Sequence, residues 1–216
     1  MSINTHNGTV IVFEGADGTG KSTAIQMLNS YLLGEGYSVL CLNVISCSPE
    51  GQLFRKEYTT KELDPVLQTV GFLNSSAIAF ERFVFPSKSD YDFILVDRGW
   101  ASILAYQVVA NGQSYALDAI MHILKGPNYK SIVNIHLTTQ PEIAIERLKE
   151  NGRALDTIES KGSSYQAKCV KGYEWAFGFF PVLKPKYVFD TGLLNKDMLN
   201  TRLQEVIQEV LTPVNT

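Results

Sequence analysis

The chain has 216 residues, of which 45% are hydrophobic, and a formal net charge of -3 at pH 7. This length suits one α/β domain over residues 1–216, and the scattered Lys and Arg residues argue against nucleic acid as a partner. The three cysteines lack a C-x-x-C spacing, so neither a disulfide framework nor a zinc site is predicted. Because a signal-peptide pattern is absent and no apolar run approaches the ~18 residues of a membrane span, we expect a cytoplasmic protein without a membrane partner.

The first predicted strand, residues 10–14, leads into the stretch GADGTGKS at residues 15–22. This stretch fits G-x-x-x-x-G-K-[ST] at every fixed position, and an amphipathic helix follows it, as a phosphate-binding loop requires. Lys21 and Ser22 would then reach the phosphates of a nucleotide and its Mg²⁺. A glycine-rich turn without a ligand is the alternative. The predicted ATP-binding residues of the loop are Gly15, Gly18, Thr19, Gly20, Lys21, Ser22 and Thr23.

A second strand is predicted at residues 38–44 and completes a βαβ unit, which predicts a parallel sheet. A polar loop is expected at residues 46–51, at the carboxyl end of that strand, where ligands usually bind in such sheets. Arg55 lies within reach of this loop. A helical pattern then runs from about residue 65 to residue 85.

The third strand, residues 93–97, ends in an acidic residue. In phosphate-loop enzymes this pattern places a carboxylate beside the metal ion, so Asp97 is predicted as a magnesium ligand together with Ser22. Arg98 follows with a planar fork of donors suited to a phosphate, although an ion pair at a strand edge would also explain the two residues. Asp17 lies inside the loop, where a negative charge is poorly placed for a triphosphate. We expect it to face an acceptor hydroxyl or a metal-bound water, with loop capping as the alternative.

The remaining elements complete an alternating pattern. Helices are predicted at residues 101–110 and 116–124, from residue 141 onward, in a later segment that ends at about residue 177, and at residues 196–211. Strands are predicted at residues 132–137 and 186–190. Polar residues around Arg147 and Arg153 predict a lid at about residues 150–162 that brings cations onto a transferring phosphoryl group, with a solvated charged loop as the alternative. His136 is expected to be a packing residue. The fold class predicted is an α/β three-layer sandwich of the P-loop NTPase type, with a central parallel sheet of about five strands.

Three motifs together resemble the thymidylate kinase family, and they occur in the family's order over most of the chain. They are FEGADGTGKST at residues 13–23, Asp97-Arg98-x-x-x-Ser102-x-x-Ala105-Tyr106-Gln107, and Asp156-x-Ile158-Glu159 followed by Tyr165 and Gly172-Tyr173-Glu174. The resemblance implies Mg²⁺-dependent transfer of the γ-phosphoryl group of ATP to a deoxynucleoside 5′-monophosphate, with dTMP or a 5-substituted dUMP as the first choice. A homodimer is also implied. Another deoxynucleotide, a nucleoside, or a catalytically silent regulator remain open as alternatives.

The resemblance also implies roles for individual residues. Arg98 would bridge the donor and acceptor phosphates, Asp17 would touch the acceptor sugar, and Lys21 would hold ATP phosphates. Arg153 is the candidate for the catalytic arginine of the lid, and Arg147 is placed with ATP. The residues implied at the acceptor are Asp17, Phe72, Ser76, Arg98, Ser102, Ile103, Tyr106, Gln107, Tyr173 and Glu174. Among these, Phe72 would stack on the base, although aromatic residues at helical spacing are often core residues.

The chain departs from the family pattern at the base. Four residues after Phe72 the family typically has an arginine that reads a carbonyl of thymine, whereas this chain has Ser76. Ile103 stands where many members have Asn or Thr, and Gly99 replaces a frequent aromatic residue. We therefore expect the phosphoryl-transfer machinery to be kept and discrimination between bases to be weaker.

Overall fold

The computed structural model describes residues 7–150 and 161–212. Its sheet contains five parallel strands in the order β2-β3-β1-β4-β5. Their bounds are β1 (Thr9–Glu14), β2 (Val39–Asn43), β3 (Phe93–Asp97), β4 (Val133–Thr138) and β5 (Tyr187–Asp190). The predicted number of strands and their parallel arrangement are confirmed.

Helices cover both faces of this sheet. Their bounds are α1 (Lys21–Gly34), α2 (Pro49–Thr60), α3 (Pro65–Ile78), α4 (Trp100–Ile103), α5 (Ala116–Ile123), α6 (Pro141–Glu150), α7 (Gly162–Phe179) and α8 (Lys196–Leu211). Two of them continue into π-helical turns, α3 through Ala79–Val84 and α4 through Leu104–Ala110. Within the described ranges, none of the helices has the length and apolarity needed to cross a membrane.

The alternation of side chains along β1 explains the three layers. Val10 and Val12 pack into a core shared with α4 and α7, whereas Ile11 and Phe13 pack into a second core with α1 and α8. Strands buried on both faces read as continuous apolar runs, which is why the sequence pattern identified them. The predicted three-layer fold class is therefore confirmed.

Helix α2 was not predicted, because residues 46–51 were expected to form a polar loop. Ser48 accepts a hydrogen bond from the backbone N–H of Gly51 at 3.0 Å, and Pro49 occupies the first turn. A Ser cap followed by Pro is a standard start of a helix, because it satisfies one free N–H group and supplies a preset φ angle. The prediction of a loop was wrong from Pro49 onward.

Candidate active site

The phosphate loop joins β1 to α1 at the carboxyl edge of the sheet. Gly15, Gly18 and Gly20 have φ angles of 148°, 80° and 86°, which only glycine adopts easily. A Cβ atom at Gly15 would lie 2.3 Å from the carbonyl oxygen of Leu137, and one at Gly18 would lie 2.3 Å from that of Ala144. The loop is thus wedged against β4 and α6, so its glycines are required by both conformation and space.

Lys21 is only 7% exposed, and its ammonium donates to the carbonyl oxygens of Gly15 at 2.9 Å and Ala16 at 2.8 Å. Burial, followed by the nearby charge of Arg98, lowers the pKa of Lys21 to about 8. The predicted lysine of the phosphate seat therefore lies inside the loop. Thr19 is buried and its hydroxyl donates to Ala16, so it shapes the loop from within.

A cleft of about 650 Å³ runs across the carboxyl ends of the strands. One part is lined by the loop, α1, α6 and the start of α8, with the residues Gly18, Gly20, Lys21, Ser22, Thr23, Arg147, Thr191 and Asn195. The other part is lined by α2, α3 and the segment after β3, with the residues Arg55, Tyr58, Phe72, Ser76, Ser102, Ile103, Tyr106 and Gln107. Asp17 of the loop and Arg98, which directly follows β3, also line the cleft, where these two segments meet.

Arg98 is held from several directions. Its φ angle of 69° makes it the one residue other than glycine with a positive φ in residues 7–150 and 161–212. The Nη2 atom pairs with the Asp17 carboxylate, and Nη1 donates to the carbonyl oxygen of Gly15 at 3.2 Å and to the hydroxyl of Tyr173 at 3.3 Å. A strained backbone persists when its surroundings fix it, and such residues cluster at functional sites.

Asp17 lies between Arg98 and Tyr106. The Tyr106 hydroxyl donates to Oδ2 of Asp17 at 2.8 Å and accepts from the Asp17 backbone N–H at 3.1 Å. Burial, followed by the Asp17 charge, raises the pKa of Tyr106 well above its usual value. Because the guanidinium neutralises it, a carboxylate is tolerated inside a phosphate loop. The expected acceptor or water contact of Asp17 stays a prediction, and the structure adds these two protein partners.

Asp97 has one engaged and one unsatisfied carboxylate oxygen. Oδ2 accepts from the Asn43 side-chain amide at 3.0 Å, whereas Oδ1 is buried without a hydrogen-bond partner. Ser22 lies across the same cleft with an exposed side chain. Mg²⁺ in phosphoryl-transfer sites is typically held by a hydroxyl, one carboxylate and the substrate phosphates, so the two predicted ligands fit this ion. The described residues contain no group of three or more His, Cys, Asp or Glu that would hold a metal by themselves.

At the far end of the cleft, Phe72 packs against two aromatic residues of α2. Its ring centroid is 5.0 Å from that of Phe54 and 5.1 Å from that of Tyr58. Ser76, one turn further along α3, has a buried hydroxyl without a hydrogen-bond partner. Ile103 is buried on the facing segment. This end is thus apolar and aromatic, with Ser76 among its few polar groups.

Gln107 is 1% exposed, and the oxygen of its side-chain amide is hydrogen-bonded. Its Oε1 atom accepts from the Thr69 hydroxyl at 3.1 Å and from the Asn111 side-chain amide at 3.0 Å. These two donors fix the orientation of the amide group, since its oxygen must face them. The Nε2 donor of Gln107 is consequently directed away from Thr69 and Asn111.

Arg147 lies at the donor side of the loop. Nη1 donates to the Thr191 hydroxyl at 2.9 Å and to the carbonyl oxygen of Gly18 at 3.4 Å, and Nη2 donates to the carbonyl oxygen of Thr191 at 2.8 Å. It therefore ties α6 to the loop and to the segment after β5. Arg153 and the rest of the predicted lid at residues 151–160 lie outside the described residues.

Two residues predicted at the acceptor, Tyr173 and Glu174, do not line the cleft, and their acceptor roles stay predictions. Tyr173 is fully buried, and its hydroxyl donates to the carbonyl oxygen of Gly15 at 2.9 Å and lies 2.8 Å from the Ser102 hydroxyl. Glu174 is exposed and does not line the cleft. Tyr173 consequently supports the loop and Arg98 from behind, because α7 presents it toward the core.

Asn43, Arg55 and Tyr58 are among the cleft residues that the sequence analysis did not identify as site residues. The last two lie on α2, three residues apart, and its Ser48-Pro49 start was the signal that would have revealed them. Arg55 donates from Nη1 to the Ser46 hydroxyl at 2.6 Å. Its guanidinium adds a further cation to those of Lys21, Arg98 and Arg147 in the cleft.

Comparisons with known proteins agree with the motifs. A family model described as thymidylate kinase matches residues 13–178. The thymidylate kinase of Thermoanaerobacter sp. (strain X514) is 27% identical over 206 residues, covering 94% of this chain and 99% of that protein. That of Nostoc punctiforme is 28% identical over 208 residues, covering 94% and 95%. That of Caldicellulosiruptor saccharolyticus is 29% identical over 173 residues, covering 77% and 82%.

Proposed function

This chain belongs to the thymidylate kinase family, a family of phosphotransferases that act on a nucleoside monophosphate, and we propose that it transfers the γ-phosphoryl group of ATP to a deoxynucleoside 5′-monophosphate with Mg²⁺ as cofactor. The preferred acceptor in this proposal is dTMP or a 5-substituted dUMP. The observation that carries the proposal is the position of Arg98. Its guanidinium donates to the carbonyl oxygen of Gly15 in the phosphate loop and to the hydroxyl of Ser102, which lines the part of the cleft proposed for the acceptor. A cation at that point would contact both the transferring group and the acceptor phosphate.

The protein's own contribution is positioning and neutralisation of charge. Lys21 and the backbone N–H groups of the loop bind the β- and γ-phosphates. The acceptor is a phosphate oxygen that is already anionic, so no general base is needed to remove a proton. Arg98 stabilises the charge that develops between the two nucleotides, and its pairing with Asp17 holds it there before either binds. Mg²⁺, held by Ser22 and Asp97, would neutralise the γ-phosphate.

The acceptor side is supported by aromatic stacking and by one amide donor. Phe72, braced by Phe54 and Tyr58, presents a surface for a base. The Nε2 donor of Gln107 suits a carbonyl oxygen of a pyrimidine, since its own oxygen is already bonded to Thr69 and Asn111. Arg55 extends the cationic lining toward the acceptor phosphate. These features favour a pyrimidine nucleotide over a nucleoside, because a nucleoside lacks the phosphate that Arg55 and Arg98 suit.

A kinase for another deoxynucleotide is the second candidate, and Ser76 favours it. Its hydroxyl is buried without a partner, and it can either donate or accept a hydrogen bond. The arginine that the family typically has there can only donate. Base selection by this chain is therefore proposed to be less strict.

We also propose a homodimer and a cytoplasmic location. Support for the dimer comes from exposed apolar residues on neighbouring helices, namely Leu53 on α2 and Val66, Leu67 and Val70 on α3. Apolar patches of this kind on a soluble protein often mark an interface. Sedimentation of the purified protein measures the oligomeric state, and Leu67→Glu is expected to shift a dimer toward monomers.

The test is ADP release measured with ATP, Mg²⁺ and a panel of nucleosides and monophosphates. Turnover with monophosphates alone is the expected result. Turnover with nucleosides would replace the proposal with a nucleoside kinase. Binding of ATP without turnover on any acceptor would make the chain a nucleotide-binding regulator.

A further inference from the structure

Glu14 is an acidic residue that the proposed reaction does not use. It is the last residue of β1, directly before the phosphate loop, and only 1% of it is exposed. It does not line the cleft, so it contacts neither nucleotide. An apolar residue would suit this position better if packing were its only role, because an ionised carboxylate is costly to bury.

The carboxylate lies at the start of α4. The residue that precedes α4 is Gly99, which has no side chain to cap the helix. Oε1 of Glu14 accepts hydrogen bonds from the backbone N–H groups of Ala101 at 3.1 Å and Ser102 at 3.3 Å, and Oε2 accepts from the Ser102 hydroxyl at 2.5 Å. Glu14 thus performs, from another strand, the task that a capping Ser or Asp performs locally, and its negative charge suits a helix N-terminus.

The backbone that this cap holds is the turn carrying Arg98. Arg98 has a positive φ angle of 69°, and a Cβ at Gly99 would lie 3.0 Å from Cγ1 of Val12 and 3.1 Å from Oε1 of Glu14. The turn is therefore packed directly on the carboxylate. It has no space to move toward β1, so the direction in which Arg98 leaves the strand depends on Glu14.

A hydrogen-bonded chain extends from the same carboxylate to the guanidinium. The Ser102 hydroxyl, which donates to Glu14, accepts from Nη1 of Arg98 at 3.4 Å and lies 2.8 Å from the Tyr173 hydroxyl. Burial raises the pKa of Glu14 to about 7, while its bond from Ser102 and the charges of Arg98 and Lys21 act in the opposite direction. The groups around the Glu14 carboxylate are thus hydrogen-bond donors and cations, and a carboxylate that accepts hydrogen bonds can hold them in place.

We propose that Glu14 is a positioning residue that fixes the turn at residues 98–102 and thereby aims the guanidinium of Arg98 at the phosphates. This inference rests on the proposed function, because the role of Arg98 belongs to it. Glu14 acts through Arg98 and Ser102 and touches no substrate.

The first test needs no nucleotide. Amide hydrogen exchange at Ala101 and Ser102 is measured in the free protein for wild type, Glu14→Ala and Glu14→Gln. Loss of the cap in Glu14→Ala should speed exchange at these two amides by about 10- to 100-fold, whereas the amide oxygen of Gln still accepts and should keep the rates within a few-fold. Unchanged exchange in Glu14→Ala would overturn the inference at its first step.

The second test separates positioning from general damage. Affinity for dTMP is measured by calorimetry for Glu14→Ala in the wild-type and Arg98→Ala backgrounds. We expect a loss of about 10-fold in the first background and less than about 2-fold in the second, since the effect passes through Arg98. Affinity for ATP should change by less than about 2-fold. Val206→Ala, which creates a cavity in the opposite core, is the control for lost stability and should leave both affinities unchanged.

Equal losses of dTMP affinity in the two backgrounds would contradict the inference, and so would a parallel loss of ATP affinity. Wild-type protein that binds no deoxynucleoside monophosphate would instead refute the proposed function. In that case the exchange rates at Ala101 and Ser102 still decide whether Glu14 holds the turn.

Discussion

Helix α7 packs closely on the segment that carries Tyr106 and Gln107, and Gly172 lies at this contact. A Cβ atom there would lie 2.6 Å from Cα and 2.7 Å from the carbonyl oxygen of Ala105. Both are backbone atoms, so no side-chain rotation relieves the contact. To reach an ordinary contact distance of 3.4 Å, the two backbones must separate by about 0.8 Å. Gly172→Ala therefore tests whether this close approach positions the site.

Overpacking of this kind costs about 1–3 kcal/mol, and replacing Gly by Ala in a helix returns at most about 1 kcal/mol. Since backbone atoms collide, we expect the upper part of the range and a net loss of about 1–2 kcal/mol in the free energy of unfolding, measured by urea denaturation. The same shift displaces Tyr106 relative to Asp17, whose carboxylate its hydroxyl contacts, so kcat should fall by about 10- to 100-fold.

Gly178 provides the matched control, because it lies on the same helix and a Cβ atom there would have no other atom within 4 Å. Gly178→Ala should leave kcat unchanged and leave stability equal or up to about 1 kcal/mol higher. If Gly172→Ala behaves like Gly178→Ala in both measurements, α7 does not pack on residues 104–110 as described and the reasoning fails.

Three further predictions concern single residues. Lys21→Ala should abolish turnover while circular dichroism shows that the fold is kept; substantial turnover would remove the lysine from the mechanism. Ser76→Arg should sharpen the kcat/KM preference for dTMP over dCMP by about 10-fold, the effect of one charge-assisted hydrogen bond, and no change would show that this position does not read the base. Burial, followed by the charge of Lys21, lowers the pKa of His136 to about 4. The unfolded state therefore binds a proton at this imidazole more readily between about pH 6.5 and pH 4, so the contribution of His136 to the free energy of unfolding should fall by up to about 3 kcal/mol as pH is lowered through that range. Glu14, whose pKa is raised, contributes in the opposite direction, so the contribution of His136 is measured as the difference between wild type and His136→Gln. This part of the pH dependence should disappear in His136→Gln, and its persistence would mean that another group titrates.

The elements with strong local patterns were predictable from the sequence. The strands β1 and β3 are apolar runs buried on both faces, β4 alternates apolar residues with the buried polar residues Asn134 and His136, and the phosphate loop is defined by a motif with fixed spacing. Helix α2 was missed because most of its residues are polar and because residues 46–51 were interpreted as a ligand-binding loop. The π-helical turns in Ala79–Val84 and Leu104–Ala110 have no pattern that distinguishes them from ordinary helix.

The positions of Lys21 and Asp97 in the cleft were predictable, because one residue type at a fixed place in a motif determines each of them, while their roles stay predictions. The site was not predictable where residues distant in sequence meet. Glu14 caps a helix 87 residues later in the chain, and the Tyr173 hydroxyl bonds to a carbonyl oxygen 158 residues earlier. The sequence offered a family role for Tyr173 beside the acceptor, whereas its burial under the loop depends on how α7 packs. Such contacts follow from the tertiary structure alone.

The most direct test of the proposed reaction is to incubate the wild-type protein with ATP, Mg²⁺ and dTMP and to identify the products by phosphorus NMR. We predict ADP and dTDP in equal amounts, no transfer when EDTA removes the metal, and a rate lowered by about 10³-fold in Arg98→Ala with ATP still bound. ADP and inorganic phosphate without dTDP or any other nucleoside diphosphate from the acceptor panel would contradict the account. So would an Arg98→Ala variant that transfers as fast as wild type.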